Sequence, residues 1–232
     1  MLDLILKVLK NNNIDEYIIN ETKKEAYELY MIKKAVDMDR RKNITIYTVT
    51  VFKDNGNDLK GSSVVKVYPS MDEKEIDEVL KDAYYAAGFV KNKSYNLPKG
   101  YKGEKVYDKS SLSSMSLEET AYKVKEALYK YDNFEHGWIN SSEIFVSKVD
   151  ERIITSNDAD ASYEKYSIEG EFVTQWVENS DVEIFSMFSY DELKEEELAL
   201  MAKEAIINAG YRDKSKEAPA TGKYDVILCD SS

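Results

Sequence analysis

The chain has 232 residues, 43% of them hydrophobic, enough to bury a core as one large domain or as two of about 110 residues each. Its 44 acidic residues outnumber 32 basic ones, and the formal charge of −12 repels nucleic-acid phosphates and anionic headgroups, so neither nucleic acid nor membrane is expected as a partner. The single cysteine, Cys229, can form no internal disulfide and no long apolar run occurs, so a cytoplasmic setting without a spanning helix is expected.

The opening MLDLILKVLKNNN sets Leu2, Leu4, Ile5, Val8 and Leu9 around Asp3 and Lys7, the pattern of an amphipathic helix over residues 1–11 and not of a signal peptide. Residues 14–24 are ambiguous between element types. From Glu25 onward YELYMI reads as strand, and residues 44–52 (ITIYTVTVF), almost wholly β-branched or aromatic, form the clearest strand of the first half. Asp54-Asn55-Gly56-Asn57 supplies hairpin turn chemistry, and residues 64–68 return as the partner strand. Ser70 and Glu73 are spaced as a capping box, with Gly88 as the stop and Ile76, Val79, Leu80, Ala83 and Ala87 on one apolar face of the helix between.

Residues 91–116 contain Pro98, Gly100, Gly103 and a run of serines without apolar period, and read as a linker. Ser116 and Glu119 open a helix to about Lys130 that buries Ala121, Val124, Ala127 and Leu128. Strands follow over residues 144–149, 163–177 and 182–188, with a tight turn at Glu178-Asn179-Ser180. Ser189 and Glu192 make a third box, before a helix that stops at Gly210.

Both halves therefore give α-β-β-β-α, and they correspond piecewise: Tyr27-Glu28-Leu29-Tyr30 with Ser142-Glu143-Ile144-Phe145, and Ala87-Gly88 with Ala209-Gly210. The expected fold class is α+β: a duplicated α-β-β-β-α unit, with antiparallel sheets and packed helices. The units span 1–92 and 116–213 around a 93–115 linker. Residues 214–232 form a polar connector and, from KYDVILC, the first strand of a truncated C-terminal domain.

Three stretches together, the unit beginning near Tyr27, IITSNDADASYEKYSIEGEFVTQW and the connector APATGKYDVIL, resemble the TldD/PmbA family, the "modulator of DNA gyrase" proteins regarded as zinc-peptidase subunits. Thr155-Ser156-Asn157 is similar to the family's Asn-Ser-x-Gly turn, with Thr155 for its Asn and Asp158 for its Gly. The resemblance implies that zinc sits on a His-Glu-x-x-x-His helix in the C-terminal domain of the TldD branch, whereas the PmbA branch (TldE) lacks that helix and pairs with TldD. The chain has one histidine, His136, so the two-histidine motif cannot lie within it.

The expectation is therefore an N-terminal region that guides unfolded peptides and assembles with a TldD/PmbA-type partner subunit as homo- or heterodimer. No catalytic, cofactor-binding or metal residue is assigned to this chain. The alternative is a non-enzymatic protein-interaction module.

The residues with chemical potential are each read more simply. His136 is a solvated loop histidine without further ligands. Asp158, Asp160, Ser162, Glu164 and Glu169 have calcium-loop spacing, but Tyr163 stands where the loop's sharp turn needs glycine. Cys229 lacks an activating partner. Glu169 and Glu171 alternate with Ile168, Phe172 and Trp176, which puts the acids on a solvated strand face. Among the 18 tyrosines, Tyr84, Tyr85, Tyr95, Tyr101 and Tyr107 either bridge core and solvent or help an open sheet edge capture an extended chain.

Overall fold

The computed structural model describes residues 1–97, 100–217 and 220–227. In chain order the elements are α1 (Leu2–Asn11), β1 (Tyr17–Ile32), β2 (Ala35–Asp54), β3 (Leu59–Val67), α2 (Glu73–Ala87), the two-residue β4 (Asn92–Lys93), a 3-10 turn at Ser111–Ser114, α3 (Leu117–Leu128), β5 (Gly137–Thr155), β6 (Asp160–Val177), β7 (Asp181–Tyr190) and α4 (Glu195–Asp213). The strands form one antiparallel sheet of seven in the order β4-β3-β2-β1-β5-β6-β7.

A single sheet, not one sheet per unit, results because the first strands of the two halves pair with each other. β1 and β5 run antiparallel from Ile18 opposite Thr155 to Ile32 opposite Ser141. That pairing decides the ambiguous residues 14–24. Their polar sequence carries little local signal, yet from Tyr17 onward they are held by β2 on one side and β5 on the other.

Alternation then sorts the faces. Ile19, Tyr27, Leu29 and Met31 of β1 point to the same side as Tyr47, Val49 and Val51 of β2 and as Ile144 and Val146 of β5. All four helices cover that side, in two clusters. α1 and α2 bury Ile5, Leu9, Ile76 and Leu80 over the β1–β3 end. α3 and α4 bury Val124, Leu128, Leu198 and Ile206 over β5–β7, with Leu112 of the linker among them. β1 belongs to both clusters, giving Ile19 to one and Leu29 to the other.

The halves share element order and spacing. Leu59 and Asp181 begin the third strands and Glu73 and Glu195 the helices after them, each pair 122 residues apart; the strand ends Ile32 and Thr155, Asp54 and Val177, and Val67 and Tyr190 are each 123 apart. Ala87-Gly88 with Ala209-Gly210 fits this spacing. Tyr27 does not fall on Ser142 by it, but on the stretch around Val149.

Two expected caps move. Asp72, not Ser70, caps α2: its carboxylate accepts from the Glu75 amide at 2.9 Å while the Glu75 carboxylate accepts from the Asp72 amide at 2.9 Å. The charged cap also interacts better with the helix dipole. Ser189 and Tyr190 stay in β7, paired with Glu169 and Ile168, and α4 starts at Glu195 with three glutamates in its first turn and no side-chain cap. Ser116 does cap α3, accepting from the Glu119 amide at 3.1 Å.

α4 also passes through Gly210 instead of stopping there. A Cβ at that point would lie 3.1 Å from the Trp176 ring, so the glycine lets the helix pack closely on that side chain. Gly61 is tighter: a Cβ there would sit 1.7 Å from the carbonyl oxygen of Ala87, so β3 reaches the end of α2 only without a side chain.

The later part of the 93–115 segment, from residue 100 on, is built into the fold. Beyond the reach of β7, Gly103 donates to Asp160 and Val106 to Ser162, so this stretch runs along β6. Residues 223–227 have no regular secondary structure, and the rest of the anticipated last strand, with Cys229, lies outside the described residues.

Candidate functional site: the helix-free face of the sheet

Among the described residues no helix lies on the second face of the sheet. Its centre is polar. Glu28 of β1, 3% exposed, accepts from Arg40 Nε at 2.7 Å and Nη2 at 2.6 Å, from Lys42 Nζ at 2.6 Å and from the Tyr30 hydroxyl at 3.1 Å. Burial opposes its ionisation, but hydrogen bonds from Lys42, Arg40 and Tyr30 overcome that and hold its carboxyl below the usual range. Arg40 and Lys42 are adjacent on this face because β2 runs far beyond the β-branched core of its sequence, which puts DMDRRKN into alternation.

Across the seam the same level is acidic. Phe145 of β5 lies opposite Glu28 and opposite Glu169 of β6, and Glu143 lies between Tyr30 and Glu171. Glu169 and Glu171 thus stand on the side away from Ile168 and Phe172, as alternation requires, with only the sheet behind them. The apolar residues of this face are scattered but large: Ile44 is 43% exposed, Phe185 56% and Met187 65%. The last two sit on β7, an end strand of the sheet, whose outer edge carries no strand among the described residues.

The helix-covered face holds a charged saddle between its two hydrophobic clusters. Arg152 donates two bonds of 2.8 Å to Asp160 and keeps that carboxyl below its usual range. Lys148 pairs with Glu164 at 3.1 Å, and Lys105 of the linker bridges Asp150 and Glu164. These cations occupy two acids of the calcium-like spacing, while Glu169 points to the other face and Asp158 lies in a turn. The five residues are not brought together. Among the described residues no group of three or more His, Cys, Asp and Glu side chains is placed to hold a metal ion.

His136 is half-buried, with its ring 6.2 Å from that of Trp176 and its carbonyl accepting from Val177 at 2.8 Å, a packing role at the start of β5. The tyrosines do not share one surface. Tyr84 is half-buried against the α1/α2 cluster, Tyr85 stacks edge-on with Phe89 on the outside of α2, and Tyr95, Tyr101 and Tyr107 line the linker. Tyr95 meets Phe52 edge-on at 6.2 Å, with Lys60 5.1 Å above its ring. The turn at Thr155-Ser156-Asn157 closes the β5–β6 hairpin. Ser156 exchanges bonds with the Tyr17 backbone, and Asp158 has φ 63°, the left-handed position that glycine fills most easily.

Neither a protein-family model nor a curated protein sequence matches the chain. Solved structures do. TldE from Thermococcus kodakarensis superposes with a TM-score of 0.64 at 14% identity, over 91% of this chain and 47% of TldE. The chain has the TldE-type fold. A protein described as a candidate modulator of a DNA gyrase from Thermotoga maritima gives 0.61 at 14% identity, over 89% of this chain and 47% of its own. Another so described from Bacteroides thetaiotaomicron gives 0.57 at 14%, over 89% and 49%. The chain thus spans about half the length of the proteins it matches. No described helix is long and apolar enough to cross a membrane.

The missed features have a readable signal. Arg40 and Lys42 alternate in the sequence as Glu169 and Glu171 do. Extending β2 backward from Ile44 by two-residue steps puts both on one face.

Proposed function

We propose that this chain is the N-terminal, peptide-guiding and assembly region of a TldD/PmbA-like metallopeptidase subunit, acting in the cytoplasm on unfolded or extended peptides. The observation that carries the reading is the TldE-type fold over nine-tenths of the chain, matched to just under half of TldE. The zinc chemistry belongs to a C-terminal domain of a catalytic subunit, and the single histidine fits a region without a two-histidine helix. In this reading the helix-free face, with its central charges and exposed apolar residues, lines or closes the space that a peptide enters. It pairs with a TldD/PmbA-type subunit.

The test has two arms. Titrating the chain into a fluorescein-labelled unfolded peptide should raise anisotropy, and the same peptide incubated with the chain and zinc should stay intact. Robust zinc-dependent cleavage by these 232 residues, or an anisotropy that never rises, sinks the reading.

A second reading is a non-enzymatic protein-interaction module, favoured by the exposed Phe185 and Met187 on an end strand. Binding that discriminates folded proteins but ignores unfolded peptides favours it.

A further inference from the structure

Most of the sheet's edge is guarded against an added strand. At one end β3 is capped by the two residues of β4, runs against the end of α2 at Gly61 and carries the exposed Lys66. At the other end β6 continues past the last residue of β7, and there the linker lies beside it. Asp160 donates to Tyr101 at 2.8 Å, Val106 to Ser162 at 3.0 Å and Glu164 to Val106 at 2.8 Å, and the Asp108 carboxylate accepts from the Tyr166 amide at 2.6 Å. β7 itself has no such cover among the described residues. Its ladder with β6 runs from Asp181 opposite Val177 to Tyr190 opposite Ile168 without a shift, and its 10 residues include no proline, glycine or lysine. Short strands, lysines, prolines and bulges are the usual guards of an edge, and β7 has none of them.

What β7 displays is patterned. On its helix-free side Asp181, Glu183, Phe185 and Met187 follow one another at two-residue steps, all of them exposed. The two acids keep their charge unneutralised: Asp181 accepts from Gln175 Nε2 at 2.8 Å and Glu183 from Asn140 Nδ2 at 3.1 Å, both neutral amides. Beside them stand Glu169 and Glu171 of β6, with Glu171 opposite Met187, and between Glu169 and Glu197 the sequence sets ten acids against Lys194 alone. A strand laid along β7 brings its side chains about 5 Å from those of β7 on the same side. Basic residues opposite Asp181 and Glu183, and apolar ones opposite Phe185 and Met187, complement that row in charge and in polarity. A second copy of this chain is a poor occupant, because it brings the same acids with it.

We infer that β7 is a docking edge that takes an extended segment of another protein as an added strand, one whose side chains on the helix-free side run from basic to apolar at alternate positions. The assignment stands on the bare edge and its charge and does not require the peptide-guiding role.

Two seven-residue probe peptides test it. One has two lysines and then two valines at alternate positions with threonine between them, and the other is its reverse, so that both strand directions are covered. At physiological salt one of the pair should bind at least tenfold more tightly than its glutamate-for-lysine counterpart. It should exceed by as much a peptide of equal charge broken by a central Pro-Pro pair, which cannot lie along an edge. Bound peptide should slow hydrogen exchange at β7 amides and leave those of β3 unchanged. Asp181→Lys combined with Glu183→Lys should invert the preference, so that the glutamate peptide binds the variant better; both side chains are exposed, and circular dichroism should match wild type. No binding by either lysine peptide, equal binding of the lysine and glutamate or of the intact and Pro-Pro peptides, or protection that falls outside β7 overturns the inference. Protection of the central strands by an unfolded peptide, with β7 unchanged, overturns it while leaving the peptide-guiding role in place.

Discussion

Leu29→Ala should destabilise both halves of the molecule at once. Leu29 is fully buried at the seam, opposite Ile144, inside the α3/α4 cluster, while the same strand supplies Ile19 to the α1/α2 cluster. Removing a buried leucine side chain from such a site costs about 3 kcal/mol, from lost transfer energy and the cavity left behind. For a domain of this length that lowers the melting temperature by about 6–12 °C. The two tryptophans, Trp138 and Trp176, both belong to the second half. Their fluorescence therefore reports on β5–β6, whereas far-ultraviolet circular dichroism reports on every helix and strand. With one sheet shared by both cores, the two signals should move together in wild type and variant. A biphasic dichroism curve in which only the phase seen by fluorescence shifts would refute the shared-sheet argument.

Further outcomes follow from individual contacts. Gly61→Ala drives a methyl into the Ala87 carbonyl and should cost about 1–3 kcal/mol, seen as an earlier urea midpoint with an unchanged slope. Asp213 accepts from the Asn179 and Ser180 amides and from both their side chains; burial opposes its charge, but these bonds bring its carboxyl down to about 2. A depressed carboxylate stabilises above its unfolded pKa and loses that contribution as pH falls toward the folded one, so Asp213→Asn should flatten the acid limb of stability between about pH 4 and pH 2. Glu28→Gln should act with the same sign. The variant is less stable at neutral pH, where Arg40 and Lys42 lose their shared anion, and the gap to wild type closes on acidification; a gap independent of pH in thermal melts counts against the ion cluster.

Much of the sheet was legible because its signals are local. The β-branched run 44–52, the Asn-Gly turn and the alternation around Phe172 each carry their own periodicity. Residues 17–24 were not, since YIINETKK becomes a strand only through its partners, β2 some twenty to thirty-four residues on and β5 more than a hundred. The serine boxes at 70 and 189 misled for a related reason: the spacing is common, and a nearby aspartate or a continuing ladder outcompetes it. Of the candidate site, the acids of β6 could be placed on a solvent face from their neighbours alone. Arg40 and Lys42 were placeable in the same way, by carrying the alternation of residues 44–52 backward, but their level relative to the acids of β6 depends on the β1–β5 register.

That register also governs how the molecule is made. β1 leaves the ribosome roughly 120 residues ahead of β5, so at about 5–20 residues per second it waits some 6–24 seconds without its central neighbour. Through that interval the nascent first half presents a sixteen-residue strand with one side unpaired, carrying Tyr27, Leu29 and Met31 toward a core not yet synthesised. Closing so distant a pair is entropically costly and slow. The completed sheet hides this edge at its centre, and the growing chain depends on β5 arriving before another strand takes its place.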